Sequence, residues 1–281
     1  MIVYFNHQFI PKADVRIEPD DRGFLFADGV YEVIRSYRGK LFKADEHIAR
    51  LNRSLRYLRI DIPAGINFKE IGNRLIEHNS LQNEDATIYI QITRGPAPRT
   101  HAFPEEDIPA TFYACASSFP RPTKKQKQGV KVILEHDNRW ARCDIKSIAL
   151  LANVLATQHA KEENVEEAIF IRDGVALEGS HTNFCGIFDH QLFTAPKTNY
   201  ILGGITRGVV LNLCRKLNIS VNESPIFADR LKAADELMIL GTTNEVMPVI
   251  QVNDWIVANG KPGPLTRKLQ QAFYELITES G

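Results

Sequence analysis

The chain has little of what usually announces a compartment or a partner. Cysteine is scarce, with four in 281 residues. Cys115, Cys143, Cys185 and Cys214 show no C-x-x-C pairing. Cys115 and Cys185 fall in strand-like apolar runs and Cys214 in a helical one, so buried, reduced thiols are expected. Excess charge of either sign is absent: 34 basic residues balance 34 acidic ones. No basic stripe with interleaved aromatics occurs, which argues against nucleic acid or an anionic membrane as partner. The densest basic run, Lys124-Lys125-Gln126-Lys127, lies in a proline-containing stretch and reads as a solvated linker. There is no long apolar run, secretory signal or transit peptide, and residues 1–11 alternate like a strand, so a cytoplasmic protein is expected. Internal repeats and low-complexity tracts are missing too, and no metal site is expected.

Apolar residues make up 44% of the chain and charged residues 24%, ordinary for a globular protein with one large or two modest domains. Residues 3–10 and 31–42 read as strand–turn–strand pieces, the second turning at Arg38-Gly39. Asp45 can cap a helix whose stripe is Ile48, Leu51, Leu55 and Leu58, ending before Pro63. Phe68, Ile71, Leu75 and Ile76 mark a second helix. Ile88, Ile90 and Ile92 alternate with polar residues in a half-buried strand, and residues 110–116 form another. The stretch SSFPRPTKKQKQG (117–129) is the best linker candidate. This suggests an N-terminal α/β lobe at 1–118, a linker at 119–129 and a C-terminal lobe at 130–281. The second lobe begins with a strand at 130–134 and a helix at 147–160, whose Ile148, Leu151, Val154 and Leu155 should face inward. Strands at 168–172, 183–188 and 236–240 and helices at 206–217 and 266–277 complete it. The pattern is α+β in two lobes, with a site expected in the cleft between them.

Two segments carry chemistry. Lys146, in Arg142-Cys143-Asp144-Ile145-Lys146-Ser147, places an amine at the rim of an apolar element. Glu178-Gly179-Ser180-His181-Thr182-Asn183 places a carboxylate in a Gly/Ser turn. A pyridoxal phosphate enzyme needs both: the amine for a Schiff base with the cofactor aldehyde, the carboxylate to keep the pyridine nitrogen protonated. Gly203-Gly204-Ile205-Thr206-Arg207 precedes an apolar periodic stretch, so it is a glycine turn entering a helix. Free N–H groups and a threonine hydroxyl there would make a phosphate cradle. Gly241-Thr242-Thr243-Asn244-Glu245 follows an apolar strand as a second hydroxyl-rich turn.

In order and spacing these segments resemble the fold-type IV pyridoxal phosphate enzymes over essentially the whole chain. That family includes branched-chain aminotransferases, aminodeoxychorismate lyase and D-amino-acid aminotransferases, and the resemblance is strongest to the last. It implies a two-lobed α+β fold with pyridoxal 5'-phosphate in the cleft between lobes, held by the second lobe. Lys146 would be the aldimine lysine and sole catalytic residue, and Glu178 the partner of the pyridine nitrogen. Arg50, in His47-Ile48-Ala49-Arg50-Leu51, would reach the phosphate together with Thr206, Thr242 and the backbone N–H of Ile205, while Leu202 would pack on the ring. Glu32 and Arg139 would brace Lys146 and Tyr31, and Trp140 would be packing. Arg99 and His101, two apart in Arg94-Gly95-Pro96-Ala97-Pro98-Arg99-Thr100-His101, could converge on one anion. The resemblance makes them, with Tyr31, a trap for the substrate carboxylate, the Arg-x-His pair coming from a neighbouring subunit of a homodimer. It implies reversible amino transfer between a D-amino acid (D-alanine, D-glutamate or D-aspartate) and a 2-oxo acid such as 2-oxoglutarate or pyruvate. An L-branched-chain aminotransferase, an amine transaminase, an aminodeoxychorismate lyase and a silent cofactor-binding protein stay open as alternatives. One departure stands out: Gly241 occupies a position where relatives place a serine.

Overall fold

Alternation at the N-terminus folds as expected. In the computed structural model, which describes residues 1–61 and 65–279, β1 (Ile2–Phe5) and β2 (Gln8–Pro11) pair across Asn6 and His7, both at positive φ. Next comes α1 (Arg22–Phe26), started by Asp21, whose side chain accepts the Gly23 N–H; one turn is too short to show a period. β3 (Gly29–Tyr37) and β4 (Lys40–Phe42) form the hairpin expected at Arg38-Gly39, with φ of 48° and 82° at those residues. Then follow α2 (Ala44–Leu58), α3 (Phe68–His78), β5 (Ala86–Thr93) and β6 (Thr111–Ser118). The six strands pair antiparallel in the order β2-β1-β6-β5-β3-β4. One sheet face (Ile34, Ile88, Ile90, Ile92, Ala114) packs on Leu51 and Leu55 of α2 and Leu75 and Ile76 of α3. Ile88, Ile90 and Ile92 are fully buried, each contributing about 1.5–3 kcal/mol of transfer free energy.

Helix α2 departs from its sequence reading in two ways. Lys43, not Asp45, precedes its first residue, in the left-handed conformation; Asp45 lies inside the first turn, where its charge suits the helix dipole. The helix ends at Leu58 on left-handed Arg59, and Pro63, the expected limit, lies outside the described residues. Its buried stripe is mixed, with His47, Arg50 and Ser54 inward beside Leu51 and Leu55.

The chain forms two compact units. The first holds residues 1–120 together with Ile145–Ala149, and the second holds Arg121–Asp144 with Leu150–Glu279. Composition alone assigns 145–149 to the C-terminal lobe, yet its backbone pairs with the start of β3. The expected linker also contains a helix, α4 (Thr123–Gln128). Its lysines are exposed, but Gln126 is buried and donates Nε2–H to Glu245 at 2.9 Å and to the Asn244 carbonyl at 3.3 Å.

The second unit continues with β7 (Val130–His136), α5 (Leu151–Glu162), β8 (Glu167–Arg172), β9 (Val175–Gly179), β10 (Asn183–Phe188), β11 (Gln191–Thr194), α6 (Ile205–Lys216), β12 (Val221–Glu223), β13 (Ile226–Phe227), β14 (Glu236–Gly241), β15 (Glu245–Val252), β16 (Trp255–Ile256) and α7 (Pro264–Glu279). Strands β10-β14-β15-β7-β8-β9 are neighbours in that order, and β9 pairs back onto β10 through Glu178 and Asn183. The six strands therefore close into a ring around Val132, Ile169, Phe184, Ile239 and Val249. Closure puts Glu178 at the seam.

Helix α5 corrects the expected inward stripe. Leu151, Val154 and Leu155 are 74%, 57% and 63% exposed, whereas Ala156 and Ala160 are buried against Ala168 and Phe170 of β8. The helix also starts at Leu151 rather than Ser147, because Ser147 bridges Val30 and Ile148 N–H donates to the Gly29 carbonyl. All four cysteines are free; burial pushes the Cys143 and Cys185 thiols up to about 11 and Cys214 to about 12. Among the described residues no helix is long and apolar enough to cross a membrane.

Candidate active site

In the first unit, Lys146 is presented by backbone pairing. Its carbonyl accepts the Tyr31 N–H at 3.0 Å, its N–H donates to Ser54 Oγ at 3.3 Å, and Ile145 is buried in the core. Pinned on both sides, the residue directs Nζ over the Tyr31 ring, 4.2 Å from its centroid. That cation–π contact orients the amine. Tyr31 also stacks on Tyr89 at 5.9 Å.

Behind Tyr31 lies a buried charged cluster. Glu32, fully buried on β3, accepts Arg50 Nε–H at 2.9 Å, Arg50 Nη2–H at 2.7 Å and His47 Nδ1–H at 3.0 Å. Burial drives its carboxyl up, but the charges and hydrogen bonds of Arg50 and His47 outweigh this and hold it well below its ordinary range. Burial pushes the His47 imidazole down against the pull of Glu32, helped by the charges of Arg50 and Lys146. Glu32 thus braces Arg50 and His47.

In the second unit Glu178 lies in strand β9, not in a turn. Its Oε1 accepts Arg139 Nη1–H at 2.5 Å, and Oε2 accepts Asn183 Nδ2–H and the Leu202 N–H, each at 3.0 Å. Arg139 is fixed in turn by Asp137 (2.9 and 3.1 Å), the Tyr200 carbonyl (3.2 Å) and the Phe170 ring. Its charge therefore braces Glu178. Trp140, expected to be packing, is 44% exposed. Asn183 also bonds the Leu202 carbonyl at 2.9 Å, so one amide fixes Glu178 and the segment entering α6.

The start of α6 suits an anion. Gly204 is its N-cap, with no side chain capping the first-turn N–H groups of Ile205 and Thr206. A Cβ at Gly204 would collide with the Asn183 amide oxygen, so only glycine lets the chain pass. Arg207, fully buried, ties this turn to Ala195 and Glu223 at 2.9 and 2.8 Å. Thr242 lies in the β14–β15 turn. Gly241 has a steric reason: a Cβ there would press on Thr182 Cγ2 at 3.3 Å.

Arg99 and His101 lie exposed, on a loop of the first unit. They gather around Phe26, Arg99 Cζ at 5.2 Å and the His101 ring at 5.5 Å from its centroid, while Tyr31 meets Lys146 and Tyr89. Sequence reasoning missed Asn183, Asp137 and Glu167. Glu167, fully buried, accepts from Ser180 Oγ and Thr182 Oγ1 at 2.5 and 2.9 Å and shapes the turn after Glu178. Only the Glu178-x-x-x-x-Asn183 spacing of a tight hairpin could have signalled one of them.

Residues 29–252 match the model of the amino-transferase class IV family. The chain belongs to the class IV aminotransferases. It is 40% identical over 276 residues to the D-alanine aminotransferase of Staphylococcus epidermidis, covering 98% of this chain and 97% of that one. It is 41% identical over 280 residues to that of Bacillus licheniformis, covering 99% and 97%. The Escherichia coli branched-chain amino acid aminotransferase superposes with a TM-score of 0.90 at 26% identity, covering 99% and 95%. The branched-chain amino acid aminotransferase of T.th., solved with pyridoxamine 5'-phosphate, gives 0.88 at 23%, covering 99% and 94%, a likeness of fold. For this class IV aminotransferase the α+β, fold-type IV expectation is borne out.

Proposed function

We propose that this class IV aminotransferase moves an amino group between a D-amino acid, D-alanine first among D-glutamate and D-aspartate, and a 2-oxo acid such as 2-oxoglutarate or pyruvate. The cofactor is pyridoxal 5'-phosphate, which when bound supplies the aldehyde that takes the amino group and a ring that spreads carbanion charge. The observation that carries the reading is Lys146 Nζ held over Tyr31 by a strap whose backbone is hydrogen-bonded on both sides. The residues present fit the cofactor: a braced carboxylate for a ring nitrogen at Glu178, and an uncapped helix start with Thr206 for a phosphate.

Lys146 would be the covalent attachment point for the cofactor, and its free Nζ would take the substrate's α-proton and return it. Arg139, Asn183 and the Leu202 N–H keep Glu178 ionised and aimed, so its charge favours a protonated ring nitrogen. The Ile205 N–H, Thr206, Thr242 and Arg50 hold the phosphate, the Arg50 guanidinium being set by Glu32. Leu202 lines the ring. Tyr31, Arg99 and His101 hold the substrate carboxylate. We place the protein in the cytoplasm as a homodimer. The exposed stripe Leu151, Val154 and Leu155 favours a second copy as its cover, and exposed Arg99 and His101 would serve the neighbour's site.

The fold likeness to branched-chain enzymes supports one rival, L-leucine as donor. Absorption spectra of the cofactor-loaded protein with D-alanine, L-alanine and L-leucine separate the two. The expected outcome is loss of the cofactor's visible band with D-alanine alone. Bleaching by L-leucine alone would replace the substrate reading and keep the fold and cofactor.

A further inference from the structure

The loop carrying Arg99 and His101 is exposed, yet it is tied to a half-buried carboxylate. Asp28, three residues before Tyr31, has a side chain only 12% exposed. Its Oδ2 accepts Arg22 Nε–H at 2.9 Å and Arg94 Nε–H at 2.7 Å, and Oδ1 accepts Arg94 Nη2–H at 3.1 Å. Each guanidinium then spends its remaining donors on backbone. Arg22 Nη1 donates to the carbonyls of Thr100 (2.7 Å) and Ala102 (3.2 Å), and Nη2 to that of His101 (3.4 Å). Arg94 donates to the carbonyls of Arg59 and Leu58, at 2.8 and 2.7 Å, and lies 3.7 Å from the Phe103 ring centroid. The Arg22 N–H bonds the Gly95 carbonyl, and the Ala97 N–H bonds the Asp20 carbonyl. Residues 94–103 are therefore held at both ends and along the three carbonyls that flank the two basic side chains.

One carboxylate makes this possible. Two buried guanidinium groups meeting at one point repel each other unless an anion lies between them, and removing it leaves both charges uncompensated. We propose that Asp28 is a positioning residue of the substrate-carboxylate trap, acting through Arg22 and Arg94 to present Arg99 and His101 together. The proposal rests on the reading of Arg99 and His101 as that trap. Burial pushes the Asp28 carboxyl up, but hydrogen bonds from Arg94 and Arg22 outweigh this, so it stays ionised at neutral pH.

The test compares Asp28→Asn, Arg22→Lys and Arg99→Ala with the wild type, all cofactor-loaded. It measures kcat and KM for D-alanine and amide hydrogen exchange across residues 94–103. Asp28→Asn is expected to raise KM about tenfold or more with kcat within about threefold, since a displacement of about 1 Å suffices for losses of that order. Exchange should quicken in the loop and stay unchanged in α2 and β5. Arg22→Lys keeps the charge and loses the fork, so a smaller KM rise is expected from it, and it decides the matter if Asp28→Asn does not fold. An unchanged KM in the folded variants, or faster exchange spread over the whole first unit, overturns the positioning role. If Arg99→Ala raises KM while Asp28→Asn does not, the trap survives and the positioning role falls. If Arg99→Ala leaves KM unchanged, the trap reading fails and the positioning role with it.

Discussion

Glu178 illustrates how neighbours fix a side chain for the role proposed for it. Its carboxylate accepts from Arg139, Asn183 and the Leu202 N–H; an amide cannot satisfy them all. Glu178→Gln is expected to slow α-proton removal by about 10²-fold or more, while the equilibrium constant for the cofactor changes far less; single-turnover spectra with D-alanine measure the first and cofactor titration the second. Glu32 and His47 make a different statement, about pH. Glu32 is held below its ordinary 4.5, so the stability it contributes is present above that pH and lost as acid protonates it. His47 is pushed below 6.5, so beneath that pH the unfolded chain takes up a proton that the folded state refuses. Both groups make stability fall with acid. Urea unfolding should show the His47 part of the decline as pH falls below about 6.5 and the Glu32 part below about 4.5, and His47→Gln should flatten the first. The proposed site residues Lys146 and Glu178 were suggested by the family resemblance of the short segments that carry them. Asp28 and Arg22 were not. Their role depends on a distant loop, Arg22 and Thr100 being 78 residues apart, and no local pattern encodes such a contact.

Among the elements, α5 shows where periodicity stops informing. Ile148, Leu151, Val154 and Leu155 recur at helical spacing, which establishes an apolar face but not what covers it. The face that packs on β8 is the small-residue one, Ala156 and Ala160. Replacing Ala160 with leucine should therefore overpack that contact and cost about 1–3 kcal/mol, seen as a lower urea midpoint. Helix α3 and strands β5 and β6 were readable because each buries one clean face. Strand β15 was hidden by Pro248 within its span and by left-handed Glu245 at its first residue. Strand β9 was hidden by its length and by the glycine that ends it. Short strands become strands through ring closure, a long-range event.

For the molecule as a whole, the proposed homodimer rests on the exposed α5 stripe and the exposed Arg99 and His101. Replacing Leu151 and Leu155 together with glutamate should convert a dimer to a monomer by sedimentation while leaving circular dichroism unchanged. Activity should fall with it, because each site would lose the neighbour's basic pair. The excursion of Ile145–Ala149 into the first unit was not legible, because five residues carry no compositional signal of which sheet they join. That excursion has a consequence for biosynthesis. The first unit is largely translated by Pro120, yet the start of β3 waits for its Lys146 partner until residues 121–149 have been added. At about 5–20 residues per second the nascent chain spends roughly 1.5–6 s with the Tyr31 N–H unpaired. The lysine proposed to carry the chemistry is thus among the last residues fitted into the unit it completes.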